Sequence, residues 1–496
     1  MKLIKNIDFI IEKLNDLDNN FKNYHDEYNG LKKDVKQGQK DLDNSIKDIK
    51  TELLTLKTES KKYDELNNKL ISTQTELNNK LDLLQTELNN VKSLNELLFN
   101  NIQIEKKYTN FEMLTLDSNI TKKRVLLVGF YGAPNLGDEL MLEVLVSKLK
   151  KLNNIDLTVM LSENRDYDIT KYPNFKIIHY PKSILDINIL ANYFDTVIFG
   201  GGALLDDHDY NYYNNQLTLS NSLINICYRM IQFNKQTILY GLSTSDDFSN
   251  EEYLFKLDYI FKNCTYVSLR DTNSLEVLKK YNIDVSKVKI VDDLVFSCNY
   301  KDFEHKNTHE LCIGINYICT EDSYNLIKSN LEKIIEYLNK NKIKYKILLL
   351  PFYEYCNNDT SYYKKLMIEL NDNNITIANS MYYFKNVCDV LKNVDVAISM
   401  RYHGTLLFNL FGIPNINILY DIHRHYNNKI KYLYDNYKFE KNQVLFSNLN
   451  DDNFINIFNK VINEKRIKVN KEYYDNSNKN VGEMLSLIKE WSKWLK

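Results

Sequence analysis

Glycine and proline are scarce in this chain, 13 and 5 among 496 residues, whereas Tyr, Asn, Lys and Ile abound. We read this bias as the coding habit of an A+T-rich genome, without functional content. An excess of charge of one sign is missing too. With 64 Lys and Arg against 66 Asp and Glu the net charge is −2, which gives no basic footprint for nucleic acid. The cysteines (Cys227, Cys264, Cys298, Cys312, Cys319, Cys356 and Cys388) are odd in number and contain no C-x-x-C spacing. Reduced thiols in a cytoplasmic compartment fit that pattern better than a disulfide framework. No apolar run approaches the ~18 residues that would indicate a transmembrane segment. Lys5, Asp8, Glu12 and Lys13 interrupt the amino terminus, which is therefore no secretory signal. No His/Asp/Glu cluster has catalytic metal spacing, so no metal and no cofactor is expected.

What the chain does contain is a series of strand-end motifs. The most informative is Arg401-Tyr402-His403-Gly404. Val394, Val396, Ala397 and Ile398 feed a polar turn, and a helical pattern through Leu406, Leu407 and Leu410 stops at Gly412 and Pro414 before another strand. This is a strand–turn–helix–strand unit of a parallel α/β sheet, where ligands bind at the carboxyl ends of strands. Arg401 offers a forked cation for phosphate or carboxylate, and His403 exchanges a proton near neutral pH. Alone, the motif reads more simply as an arginine capping a carboxylate beside a turn histidine. A second motif runs from Arg124 to Glu139: a buried strand, a loop with Gly132, Pro134, Asn135 and Gly137, then a helix. It is neither G-x-G-x-x-G nor a P-loop, because Asp138 and Glu139 stand where Lys-Ser/Thr belongs. Two acids suit hydroxyl binding or deprotonation better than phosphate; the plainer reading makes them helix-dipole partners. A third is Gly200, Gly201 and Gly202 directly after a strand, which admit a ligand or another backbone closely. The fourth, Arg270-Asp271, reads on its own as a strand-end ion pair.

In this order the four motifs resemble the polysaccharide pyruvyl transferase family over roughly residues 124–425. The resemblance rests on Gly132, Asn135, Gly137, Asp138 and Glu139, on Gly200 to Gly202, on Ser268, Arg270 and Asp271, and on Arg401 and His403. It implies two Rossmann-like lobes similar to GT-B glycosyltransferases, with the active site between them. It also implies transfer of the enolpyruvyl group of phosphoenolpyruvate to a sugar, leaving a pyruvate ketal. On that resemblance Arg270 and Arg401, with Gly404, bind the phosphate and carboxylate of phosphoenolpyruvate, and His403 is the acid. One departure stands out. Members often follow a Tyr-Asp pair closely with lysine, whereas Tyr420-Asp421 here precedes Ile422, His423, Arg424 and His425.

Residues 1–105 are different material, without proline and with only Gly30 and Gly38. Apolar residues recur at steps of four and three, from Leu42, Ile46, Ile49, Leu53 and Leu56 to Leu98 and Ile102. That is a coiled-coil seam, expected to make a homo-oligomer. Glu65–Leu70 recurs as Glu76–Leu81 and restarts at Glu87, an eleven-residue spacing that unwinds the supercoil locally. Beyond it the pattern predicts strands near 124–130, 157–161, 176–180, 196–200, 237–242, 266–269 and 288–292. A second set follows at 311–316, 346–351, 375–377, 395–399 and 415–419. The fold class is therefore α/β, two Rossmann-like lobes preceded by a long α-helical coiled coil. The units are a coiled coil at 1–105, a linker at 106–123, a lobe at 124–299, a linker at 300–310, a lobe at 311–470 and a terminal helix at 471–496 packing across the lobes. His305 and His309, four apart in the charged linker, read as solvated.

Phosphoenolpyruvate carries phosphate and carboxylate on one small frame, which two arginines suit. Transfer needs a proton donor, assigned to His403, and a base for the sugar hydroxyl, assigned to Asp138 or Glu139; Asn135, Gly137 and Gly200–Gly202 shape the acceptor side. The rival enzyme is a nucleotide-sugar glycosyltransferase or epimerase of the same architecture, which requires a ribose-binding acid in the second lobe. The rival without chemistry is a coiled-coil scaffold bearing a degenerate transferase domain, against which the intact Arg270, Arg401 and His403 argue.

Overall fold

The chain divides into two units, Met1–Tyr108 and Thr109–Lys496. The computed structural model describes residues 33–34, 36–49, 69–75, 77–78 and 80 of the first. Of the second it describes 122–491 apart from 163–175, 209, 211–218, 301–302, 307–308, 355–357, 380–382, 420–423, 438, 440–441 and 468–470. In the first unit the described residues are helical, and over 36–49 Leu42, Ile46 and Ile49 are the partly shielded positions. Leu70 and Leu77 are partly shielded in the same way; most of the remaining heptad tract lies outside the described residues, as do Tyr420 to His423 and Cys356.

In the second unit β1 (Lys123–Val128), β2 (Ile155–Leu161), β3 (Lys176–His179), β4 (Thr196–Leu205), β5 (Gln236–Thr244), β6 (Tyr266–Leu269) and β7 (Lys289–Ile290) form a parallel sheet. Their order is 3-2-1-4-5-6-7. Val125 to Val128 have no exposed surface, because helices cover both faces: α1 (Leu136–Leu149), α2 (Ile184–Tyr193), α3 (Leu219–Gln232), α4 (Glu251–Asn263) and α5 (Thr272–Lys280). The second sheet comprises β8 (Leu311–Asn316), β9 (Tyr345–Leu349), β10 (Ile375–Ile377), β11 (Val396–Ser399), β12 (Asn415–Leu419) and β13 (Gln443–Leu445). It runs parallel in the order 10-9-8-11-12-13. Around it lie α6 (Glu321–Lys340), α7 (Asp359–Leu370), α8 (Phe384–Leu391), α9 (Tyr402–Leu410), α10 (Arg424–Asn436) and α11 (Asp452–Ile462), and the chain closes with α12 (Lys471–Trp491). Each sheet is thus a Rossmann-like lobe.

Strand order reverses between β1 and β4 in one lobe and between β8 and β11 in the other, the crevices where such sheets bind ligands. The chain brings the two together. Asn135, after β1, forms an isolated antiparallel bridge with Tyr353, after β9. On either side the Leu136 amide donates to the Phe352 carbonyl and the Glu354 amide to the Pro134 carbonyl, both at 2.8 Å. Helix α1 is accordingly buried on nearly every side, acids included. Helix α12 reaches both lobes. Ser477 hydrogen-bonds Ser297 of the first lobe (2.6 Å), and Tyr473 packs edge-to-face on Tyr437 of the second (5.2 Å).

Four expectations are corrected. The strand predicted to end at Gly200 continues to Leu205 through a bulge, because Gly201 and Gly202 adopt φ of 69° and 109°. The strand expected over 288–292 shrinks to Lys289–Ile290. The edge strand β13 was not anticipated; its inner residue Val444 is its only buried one. His305 is not solvated: its Nε2 lies 3.0 Å from Asp395, at the foot of β11, whereas His309 is exposed.

Candidate active site

Arg270 follows β6 and is buried together with its partners. Its Nη1 donates to Asp293 Oδ2 at 2.6 Å and its Nε to Ser243 Oγ at 3.1 Å. Its guanidinium also lies 4.7 Å from the centre of the Tyr402 ring, which comes from the other lobe. The strand-end pair read from Arg270-Asp271 is therefore corrected. Asp271 instead caps α5, accepting from the Ser274 amide at 2.7 Å, and Arg270 turns to Asp293. Asp293 is fixed in turn by the Val295 amide, 2.9 Å from its Oδ1. Burial opposes the Asp293 charge, but the Arg270 guanidinium outweighs it and holds the carboxyl well below the usual range.

His403, in the first turn of α9, brings its ring to the same place. Its Nε2 lies 3.6 Å from Asp293 Oδ2, an electrostatic contact too long for a hydrogen bond, and has no hydrogen-bond partner among the described residues. The ring rests on Gly137 of α1: a Cβ there would fall 1.8 Å from His403 Nδ1. Burial pulls the imidazole pKa below its usual 6.5, with Asp293 pulling the other way and Arg270 assisting. The ring is thus neutral at neutral pH.

Asp138 and Glu139 do different things. The Glu139 carboxylate accepts from the Gly132 amide at 2.8 Å and ties down the loop after β1. Asp138 is 6% exposed and faces Gly202, where a Cβ would stand 3.1 Å from its Oδ1. Burial pushes its pKa up to about 8, Arg270 opposing and Glu139 and Asp293 adding to it. One buried carboxyl therefore keeps its proton at neutral pH while the nearby Asp293 keeps its charge. The glycines of β4 make this approach possible, since a Cβ on Gly201 would also strike Met141 Sδ of α1 at 2.6 Å.

Arg401 is held elsewhere in the second lobe. Its Nη2 donates to Asp359 Oδ1 at 2.5 Å, and its guanidinium lies 5.3 Å from the centre of the Tyr353 ring. Asp359 also accepts from the Phe352 and Tyr353 amides at 2.9 and 3.0 Å, so this arginine braces the loop that pairs with Asn135. Gly404 lets α9 sit tightly on its sheet, a Cβ there lying 2.3 Å from Ser399 Oγ. The described contacts thus gather Arg270, His403 and Asp138 around Asp293, and leave Arg401 beside Asp359.

Sequence reasoning missed Asp293, Asp359 and Lys429. The last, from α10, is 4% exposed and lies within electrostatic reach of Arg270 and His403. The signal for it was present: Lys429, Ile430, Leu433, Tyr434 and Tyr437 form one helical stripe, buried throughout. Among the described residues one grouping has metal-type donors, Asp206, Asp207 and His208, within 4.8 Å of one another. The Asp207 carboxylate there already accepts the Ser249 and Asn250 amides.

Two Rossmann-like lobes that close a buried arginine, a neutral histidine and a protonated carboxyl between them define a two-lobed α/β enzyme. Residues 135–422 match the family model of polysaccharide pyruvyl transferase, and the chain belongs to that family. No curated protein matches it. Among solved structures it is similar to UDP-GlcNAc 2-epimerase from Methanocaldococcus jannaschii, at 12% identity and a TM-score of 0.47 over 73% of this chain and 99% of that one. It is similar also to UDP-GlcNAc 2-epimerase from Neisseria meningitidis, at 13% identity and a TM-score of 0.49, with 73% and 99% covered. Likeness of that degree says nothing about substrate.

Proposed function

We propose that the chain transfers the enolpyruvyl group of phosphoenolpyruvate to a sugar of a glycan or glycolipid and closes a pyruvate ketal across two hydroxyls, releasing inorganic phosphate. The observation that carries this reading is the meeting of Arg270 and His403, from opposite lobes, at the carboxylate of Asp293. Protonation of the donor's methylene carbon makes its neighbouring carbon electrophilic. A sugar hydroxyl adds there and gives up its proton. The carbon–oxygen bond to phosphate then breaks, and a second hydroxyl closes the ring and releases its proton. Arg270 stabilises the charge on phosphate, while Arg401, paired with Asp359, braces the loop that joins the lobes.

The two proton carriers are told apart by their surroundings. Motif reasoning gave the acid's part to His403 and the base's part to Asp138 or Glu139. Burial of both groups favours the reverse: Asp138 enters the cycle protonated and His403 neutral, so Asp138 protonates carbon and His403 receives the hydroxyl proton. Glu139 holds the loop. The described cysteines are all unpaired, which fits a cytoplasmic place of action.

The test is a thermal-shift panel of phosphoenolpyruvate against UDP-, GDP- and CMP-sugars, since a ligand of the native state raises its stability. It is followed by assay of phosphate release and of acid-labile pyruvate on the glycan. Stabilisation by a nucleotide sugar alone, with no phosphate released from phosphoenolpyruvate, would end this reading in favour of a glycosyltransferase or epimerase.

A further inference from the structure

We infer that Asp271 recognises the acceptor, one of its carboxylate oxygens holding one of the two sugar hydroxyls that the ketal spans. The inference rests on the transfer reading above, in which Asp271 has no part. Asp271 is 3% exposed, and its two oxygens are used unequally. Oδ1 accepts from the Ser274 amide at 2.7 Å and caps α5, whereas Oδ2 is buried with no hydrogen-bond partner among the described residues. Ser274 Oγ in turn accepts from the Thr244 amide at 3.0 Å, which anchors the capped turn to the end of β5. A buried carboxylate oxygen without a donor is costly, and at a cleft a ligand completes the bond.

The surroundings say what that donor is. Asp271 lies within electrostatic reach of Arg270 beside it, and of Tyr402 on α9 and Lys429 and Tyr432 on α10. Helix α10 packs against α5, so the carboxylate faces the second lobe across the cleft. Arg270 and Lys429 already answer its charge; what Oδ2 lacks is a hydrogen bond and not a counter-ion. A carboxylate only accepts hydrogen bonds and repels an anion, so a neutral hydroxyl is the ligand that supplies the missing donor. His403 Nε2 is a second buried atom of the cleft without a hydrogen-bond partner, and it too lies within reach of Arg270 and Lys429. A ketal takes two hydroxyls of one sugar. The imidazole receives one of them, and Asp271 orients the other.

The test titrates the full chain calorimetrically with the methyl glycosides of galactose, glucose, mannose and N-acetylglucosamine and with their mono-deoxy analogues, with and without phosphoenolpyruvate. The wild type is expected to bind one glycoside about 10- to 100-fold more tightly than its analogue lacking a single hydroxyl, the worth of a hydrogen bond to a charged group. Asp271→Asn keeps the cap, which asparagine serves as well as aspartate, and can place an amide donor where Oδ2 stood. It is expected to abolish the preference, the intact glycoside falling to the affinity of the deoxy analogue, while the melting temperature is kept and phosphoenolpyruvate binds no more weakly. Asp271→Ser also caps the helix and is expected to do the same. A residue that served only as cap or counter-charge would move stability or donor affinity and leave the hydroxyl preference alone. A preference retained in a folded variant overturns the inference, as does a wild-type chain that binds none of the glycosides. Loss of the preference in a protein to which phosphoenolpyruvate does not bind upholds the hydroxyl site and removes the donor reading. Binding of phosphoenolpyruvate with the preference unmoved does the reverse.

Discussion

His403 of the second lobe packs its imidazole directly on Gly137 of the first, leaving no room for a Cβ, which would stand 1.8 Å from Nδ1. The glycine is helical, so alanine there would ordinarily stabilise α1 by about 1 kcal/mol. The clash decides otherwise. Gly137→Ala is expected to displace the ring and to lower turnover about as much as removing the imidazole does, ~10²–10⁴-fold for a positioned proton carrier. The double variant Gly137→Ala with His403→Gln should cost little more than either single change, because both remove one group. Additive losses in single-turnover rates would show that Gly137 acts on something other than His403.

His403→Gln alone should lower turnover by that ~10²–10⁴-fold while leaving phosphoenolpyruvate affinity nearly unchanged, the mark of an interaction made in the transition state. Calorimetric affinity and single-turnover rates measured side by side check this. A folded variant with wild-type turnover makes His403 a packing residue.

Asp293 is the charge partner of Arg270 where both are almost without exposure, 1% and 4%. Removing one member of a buried pair leaves the other uncompensated, at a cost of about 3–5 kcal/mol. Asp293→Asn is expected to lower unfolding free energy in urea by that order. Breaking the exposed pair Lys279–Glu276 by Glu276→Ala should change it by at most about 1 kcal/mol. Equal effects from the two would mean that Asp293 does not hold Arg270.

The strands were legible because parallel sheets covered on both faces leave continuous apolar runs, as in Val125–Val128 and Val396–Ile398. Arg270, His403 and Asp138 were legible because each stands at the mouth of such a run. Asp293 was not, for its strand is two residues long and the adjacent Asp292 looks the same in sequence; only the fold separates them, giving Asp292 to Tyr437 and Asp293 to Arg270. Lys429 was hidden differently. In a segment rich in Lys, Asn and Tyr it looks like Lys431, yet it sits on the apolar stripe and Lys431 does not. The direction of Arg401 was also beyond sequence, since Asp359 reaches it from another strand's loop.

The heptad tract carries a separate expectation. All the motifs gathered around Asp293 lie beyond residue 124, so a chain beginning at Leu114 should retain specific activity and lose the oligomeric state of the whole protein. Light scattering beside activity decides it. An unchanged number of protomers after truncation removes the self-association assigned to residues 1–105.

Asp138 ties pH to both stability and rate. Its folded pKa is raised to about 8 from 3.8, so between those values the native state holds a proton that the unfolded chain has released. Stability therefore falls as pH rises through this window, by at most about 1.4 kcal/mol per pH unit for one group, and levels off above it. Asp138→Asn should flatten that slope and make the protein relatively more stable at the alkaline end. The activity profile follows the same proton. Rate should rise with pH as His403 loses its proton, below its usual 6.5, and decline near 8 as Asp138 loses its own. The variant should lose most of its turnover together with the alkaline limb. Urea unfolding across the window, paired with kcat/KM profiles, measures both. An unaltered stability slope in Asp138→Asn would place the titrating group elsewhere, and an unaltered alkaline limb in its residual activity would take the acid's part from Asp138.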